Sequence, residues 1–219
     1  MSGDHPSATA HRLEPIRVVI VDAEVESRDR TAGALARERD IEISAASGDG
    51  RSVLELVHRV EPRVVVMDVE LPCDAGIHAT RALAARERSP AVLAVAHDVS
   101  DELALDAIRA GAAGVCEKRA TLALAEAVRA VACGYAVVAR KTLRLLADRV
   151  PRPDGALERC TPREREVIEL VARGATNAEV CERLVITDAT VRTHIRNLRR
   201  KLGARSRAEL VSRVYAPTS

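Results

Sequence analysis

Between residues 17 and 138, short apolar runs with little polar alternation take turns with amphipathic stretches. The runs at 18–21, 41–45, 64–67, 92–96 and 114–116 predict strands, and the segments 28–39, 52–60, 77–85, 102–110 and 122–132 predict helices. Strands that are apolar on both faces, each followed by a helix, are the pattern of a parallel sheet covered on both sides. The expected fold is therefore α/β, a doubly wound five-stranded parallel sheet whose functional crevice lies beyond the carboxyl ends of its strands.

From residue 161 the pattern turns wholly helical. Thr161 with Glu164, Thr176 with Glu179, and Ser206 with Glu209 each have the spacing of a capping box, in which the hydroxyl satisfies an orphan amide and the carboxylate reaches back. Pro162 sits at a first turn, where a helix tolerates it. Thr187 is a fourth N-cap candidate, opening a segment to residue 202 in which Val191, Ile195, Leu198 and Leu202 recur at helical spacing. Arg192, Arg196, Arg199, Arg200 and Lys201 lie elsewhere on that helix, which makes it apolar on one side and cationic on another. Ala178, Val180, Cys181 and Leu184 give the preceding helix a small apolar face, and only Val185 and Ile186 separate it from Thr187. So short a connection forces the two helices to cross steeply, as in a helix-turn-helix. An all-α four-helix domain is expected to follow the α/β domain.

Charge follows the same division. Residues 161–219 hold 12 Lys and Arg against 7 Asp and Glu, a net +5, while the first 160 residues are net −3. A local positive excess on a smaller domain points to a polyanion such as double-stranded DNA. The joint carries Val150-Pro151-Arg152-Pro153-Asp154-Gly155, which reads as a partly extended linker, with Leu143, Leu145 and Leu146 in a helix before it. The expected divisions are a disordered tail at 1–15, a first domain at 16–139, a linker at 140–159 and a second domain at 160–219.

With hydrophobic residues at 47 % and charged residues at 30 %, the composition is that of a globular chain without a bilayer-crossing run. Residues 1–15 lack the apolar core of a secretion signal, so a cytoplasmic protein is expected, with no membrane partner. Five cysteines at 73, 116, 133, 160 and 181 form no C-x-x-C pair, which argues against a zinc site or a disulfide framework and predicts mostly small core residues. Cys73 and Cys116 fall near the functional edge, where a redox role competes with the inert reading.

The segments T-P-R-E-R-E-V at 161–167, G-A-T-N-A-E-V at 174–180 and T-V-R-T-H-I-R at 190–196 resemble the LuxR-type DNA-binding domain. The likeness runs through 160–215 without a gap. It implies that the helix 187–202 enters the major groove, with Arg192, Thr193 and Arg196 at base edges and Asn177, Thr187, Thr190, Arg199, Arg200 and Lys201 at phosphates. A homodimer on paired half-sites is expected, through the last helix around Leu210 and Val214.

In the first domain, V-V-V-M-D-V-E-L-P at 64–72, Gly76, D-A-I-R-A-G-A-A-G at 106–114 and Lys118 resemble the receiver domain of response regulators. Together the two domains resemble a NarL-type response regulator. The resemblance implies that Asp68 is the phosphoacceptor position and that Lys118 pairs with the phosphate, in an acidic pocket with Asp22, Glu24 and Glu70.

Three positions depart from that pattern. Ala23 stands where a second adjacent acid would bind magnesium directly, Ala96 where a switch hydroxyl is expected, and Val115 where a switch aromatic is expected. A methyl group cannot coordinate a cation, so at most weak magnesium binding at Asp22 and Asp68 is expected, and otherwise no cofactor. Glu24 and Glu70 stand near enough to supply a missing ligand.

These observations predict a non-enzymatic, sequence-specific transcription regulator with an atypical, phosphorylation-independent receiver, whose crevice is left for a small-molecule or protein ligand. Beside it stand a conventional two-component regulator phosphorylated on Asp68, and, from other classes, a phosphoryl sink or a heterodimerising interaction module.

Overall fold

The computed structural model describes residues 14–86, 88–119, 121–149 and 156–214. Residues 1–13 of the tail expected at 1–15 and the Pro-rich stretch at 150–155 lie outside them.

Strands β1 (Ile16–Val21), β2 (Ile41–Ser47), β3 (Val64–Asp68), β4 (Ala91–Ala96) and β5 (Gly114–Glu117) form one five-stranded parallel sheet in the order β2-β1-β3-β4-β5. Val18–Val21 and all of β3 are buried, as the unbroken apolar runs require of central strands covered on both faces. Helices α1 (Val25–Leu35), α2 (Val53–Val60), α3 (Ala75–Ala84), α4 (Asp101–Ala110) and α5 (Thr121–Ala132) supply the covers. One core cluster holds Val19, Met67 and Ala94 with Leu56, Leu83 and Ile108; the other holds Ile20, Val66 and Leu93 with Leu35 and Val128. Alternate residues of each strand thus serve opposite layers.

The expected helix 28–39 is displaced. It begins at Val25 and stops at Leu35, because residues 36–40 must turn to bring Asp40 beside Ile16, whose N–H donates to the Asp40 carbonyl at 2.7 Å.

The second domain contains α7 (Pro162–Ala172), α8 (Asn177–Leu184), α9 (Asp188–Leu202) and α10 (Arg207–Val214). Its core gathers Val167, Ile168, Val180, Val191, Leu198 and Leu210. The boxes at Thr161 and Thr176 are both complete. The third is altered: Ser206 Oγ accepts from the Glu209 N–H at 3.0 Å, but the Glu209 carboxylate reaches the Arg205 N–H, one residue before the expected one. Val185 ends α8 in a left-handed conformation, φ 54°, and is 89 % exposed at the turn.

The helix expected around Leu143, Leu145 and Leu146 is present. Residues 140–149 form α6 (Arg140–Arg149), which packs on both α4 and α10. Leu146 is fully buried in the first domain's core cluster, and Ala208 of α10 joins the same cluster. A shared core therefore runs across the joint. Gly134 lies at this joint with φ 89°, and a Cβ there would come within 2.7 Å of Asn177 Oδ1. Only glycine combines that backbone with that approach.

Candidate functional site

Asp22 follows β1 and Asp68 ends β3, two adjacent interior strands, while Lys118 follows β5; sheet order alone brings them to one crevice. Lys118 Nζ lies 3.1 Å from Asp22 Oδ2 and 2.9 Å from Asp68 Oδ2, and all three side chains are buried. Asp22 Oδ2 also accepts from Ser27 Oγ at 2.7 Å and Oδ1 from the Glu24 N–H at 3.0 Å. Asp68 Oδ1 accepts from the Glu70 N–H at 2.9 Å. Every oxygen of both carboxylates therefore has a donor. Gly76 presses against the end of β3, where a Cβ would sit 2.1 Å from the Asp68 carbonyl oxygen.

Desolvation raises the Asp68 pKa, and the nearby Asp22 charge adds to it against the bonds from Lys118 and Glu70. For Lys118, burial pulls downward, but hydrogen bonds to Asp68 and Asp22 and their charges outweigh it, and the ammonium is raised. The site is a buried ammonium between two carboxylates.

The residues present do not fit the divalent cation that a receiver uses. Ala23 contributes no oxygen, Lys118 already pairs with both acids and offsets one of their two charges, and no group of three or more His, Cys, Asp or Glu among the described residues is placed to hold a metal ion. Glu24 and Glu70, the candidate substitutes, are turned to another partner. His97, which follows β4, has Nε2 3.4 Å from Glu24 Oε2 and Nδ1 3.0 Å from Glu70 Oε2. An imidazole between two carboxylates ties three loops at the pocket rim. Sequence reasoning passed over His97, although its place one residue beyond the switch position was a usable signal.

Ala96 is fully buried, and Val115 is packed in the first core cluster. Cys116 is half-buried, its thiol pushed up to about 11 by burial and by Glu117, which makes it a poor nucleophile. Cys160 is buried, Cys181 is half-buried, and Cys73 and Cys133 are exposed, so the expectation of mostly core cysteines holds only in part.

In the second domain Arg192, Thr193, Arg196 and Arg200 are exposed along α9. Arg192 Nε donates to Asp188 Oδ2 at 2.6 Å. Thr193 Oγ1 donates to the Ala189 carbonyl at 2.9 Å, which leaves its methyl as the surface it offers. Thr187 accepts from the Thr190 N–H at 3.3 Å, and the two hydroxyls lie 2.9 Å apart.

Three of the phosphate candidates sit elsewhere. Arg199 is drawn inward, where burial lowers its pKa against the charge of Glu209, and its Nε has no partner. Lys201 Nζ donates to Glu164 Oε2 at 2.6 Å, joining α9 to the first capping box. Asn177 belongs to the joint: its N–H donates to the Cys133 carbonyl at 3.3 Å and its Oδ1 accepts from Arg207 Nη1 at 3.3 Å. Leu210, expected at a dimer contact, is fully buried in its own domain.

The response regulator receiver domain family matches residues 18–129, and the family of bacterial regulatory proteins of the LuxR type matches residues 159–214. LiaR, a transcriptional regulatory protein of Bacillus subtilis, is 32 % identical over 205 residues, covering 92 % of this chain and 96 % of that one. The nitrate/nitrite response regulator NarP of Escherichia coli is 33 % identical over 199 residues, covering 88 % and 91 %. Among solved structures, the response regulator ChrA of a heme-sensing two-component system is 32 % identical with a TM-score of 0.51, covering 92 % of this chain and 98 % of that one. No described helix is long and apolar enough to cross a membrane. The chain belongs to the response regulators that join a receiver domain to a LuxR-type DNA-binding domain.

Proposed function

We propose that this regulator binds double-stranded DNA as a homodimer through α9 and does so without phosphoryl transfer to Asp68. The observation that carries the second part is Ala23, which stands beside Asp22 and offers a metal no oxygen. Glu24 and Glu70, the nearby acids that could replace the missing ligand, are both engaged by His97. Ala96 gives no hydroxyl to a phosphoryl oxygen, and Val115 has no ring to move, so a phosphoryl group at Asp68 would lack the parts that report it.

For DNA, the exposed Arg192, Thr193 and Arg196 support base contact, and exposed Arg200 supports phosphate contact. One short domain gives modest affinity, which favours two copies on paired half-sites. The homodimer contact lies outside Leu210, whose side chain is spent in the domain core.

A conventional phosphorylated regulator is favoured by one feature, the retained pairing of Asp68 with Lys118 at 2.9 Å. The two readings part in cells carrying Asp68→Asn. Phosphorylation-independence requires DNA affinity and transcriptional output within a few fold of the parent. A folded variant that loses regulation, with a parent protein that acetyl phosphate and magnesium convert to a tighter binder, establishes the conventional reading.

A further inference from the structure

The exposed face of α9 carries one ion pair at the start of the helix, between Asp188 and Arg192. Asp188 Oδ2 accepts from Arg192 Nε at 2.6 Å and lies 2.6 Å from Nη2. Both side chains are about half exposed, so the pair adds little to folding stability. A carboxylate on a DNA-facing surface also repels phosphates. Its place there calls for a different explanation.

We propose that Asp188 is a specificity-determining positioning residue, which holds the Arg192 guanidinium so that its outer edge meets a guanine and is withheld from the phosphates. The inference rests on the reading that α9 enters the major groove with Arg192 at a base edge.

The geometry supports it in three ways. Residues 188 and 192 are one turn apart and share a helix face, so no backbone change is needed to keep the pair closed. The Nε–Nη2 edge is turned to the carboxylate, which leaves the Nη1–Nη2 edge to span O6 and N7 of a guanine. Asp188 is itself steadied in the first turn, where the helix dipole favours negative charge.

The next residue repeats the arrangement. Thr193 is held through its hydroxyl by the Ala189 carbonyl, also one turn back. The two adjacent base-reading candidates are thus both fixed before DNA arrives, and ordering that has already occurred does not oppose binding. An arginine released from Asp188 has many rotamers, several of which reach a phosphate as easily as a base. The carboxylate disfavours those alternatives and so raises the contrast between the right sequence and any other.

The test uses the full chain and four variants, Asp188→Asn, Asp188→Glu, Arg192→Ala and the double Asp188→Asn/Arg192→Ala. Each is selected against a random DNA pool and titrated on the recovered site and a scrambled duplex at several salt concentrations. Arg192→Ala is expected to erase the preference at one base pair. Asp188→Asn is expected to weaken the preference at that same pair about five- to tenfold. At the same time it tightens binding to scrambled DNA and steepens the salt slope by about one unit. Asp188→Glu, which can still reach Arg192, restores most of the preference, and the double variant matches Arg192→Ala.

A merely electrostatic or helix-capping role predicts that Asp188→Asn changes affinity for all sequences alike, and that result overturns the proposal. So does an Asp188→Asn profile identical to the parent's while Arg192→Ala alters it. An unchanged profile in Arg192→Ala instead defeats the underlying assignment of Arg192, and the two failures are told apart within one experiment.

Discussion

His97 meets Glu70 twice: its backbone N–H donates to Glu70 Oε2 at 2.6 Å, and its ring Nδ1 lies 3.0 Å from the same oxygen. Glu24 stands 3.4 Å from the other ring nitrogen. Loops from β1, β3 and β4 are thereby strapped over Asp68 by one side chain. Burial raises the Glu70 carboxyl, but the backbone and ring bonds from His97 outweigh it and hold the group below its ordinary 4.5. In His97→Ala the Glu70 carboxyl should titrate closer to that ordinary value, read by carbon-detected NMR. Amide exchange should quicken at 22–25 and 97–100, with DNA affinity within about twofold. Unchanged exchange at both segments would show that the imidazole straps nothing.

The Lys118 bridge should be costly to break. Lys118→Met leaves two buried carboxylates without a counter-charge, a loss of about 3–5 kcal/mol. Without the bond from Lys118 the already raised Asp68 is pushed further up, and a group raised on folding stabilises at low pH. Stability should therefore be greatest below about pH 4 and fall as pH rises through the raised value. Urea unfolding across pH 4 to 8 measures this, and adding Asp22→Asn should recover part of the loss.

Glu164 has the opposite sign. Burial raises it, but the bond from Lys201 and the bonds with Thr161 prevail, and its pKa lies below 4.5. Its contribution is present above the unfolded value near 4.5 and is lost as pH falls through the lowered one. Glu164→Gln should cost about 1–2 kcal/mol near neutrality and flatten the acid limb of the stability profile, followed by circular dichroism.

Arg196→Ala should weaken the specific site by roughly 1–3 kcal/mol and relax one base preference, whereas Arg200→Ala should weaken all sequences alike and make the salt slope shallower by about one unit. Selection from random DNA separates the two. Identical profiles would remove the distinction between base and phosphate contacts on α9.

At the joint, Gly134→Ala drives a methyl into Asn177 Oδ1 at a backbone angle alanine resists. The expected outcome is two domains that still fold but separate, seen as a larger radius of gyration in solution scattering. Leu146→Ala should cost about 2–5 kcal/mol. An unchanged scattering profile for Gly134→Ala would mean that the shared core around Leu146 and Ala208 holds the arrangement without that contact.

Much of the architecture is legible in local patterns because local physics decides it. Thr161 and Thr176 announce their helices since a cap and its box span only four residues. The Val-rich runs announce central strands since burial on both faces leaves no room for polar alternation. At the joint the helix around Leu143, Leu145 and Leu146 is legible, but the burial of Leu146 in a core is not. The partners of Leu146 are α4 and α10, which lie far away in the chain. The bonds of Asn177 and Lys201 to Cys133, Arg207 and Glu164 were not legible for the same reason, since they reach across the fold.

The sequence alone determined which chemistry is present: Asp22, Asp68 and Lys118 at strand ends, the apolar Ala23, Ala96 and Val115 beside them, and a cationic helix behind a Thr187 cap. These are statements about residue type and short spacing, which need no tertiary contact. Only the tertiary structure decided how the charges are spent. Whether Lys118 bridges both acids, whether His97 straps Glu24 to Glu70, which α9 cations face outward and which pair inward, and how closely the two domains share a core all depend on distances of a few ångströms between residues far apart in the chain. Coulombic and packing energies change steeply over such distances, and no periodicity along the chain encodes them.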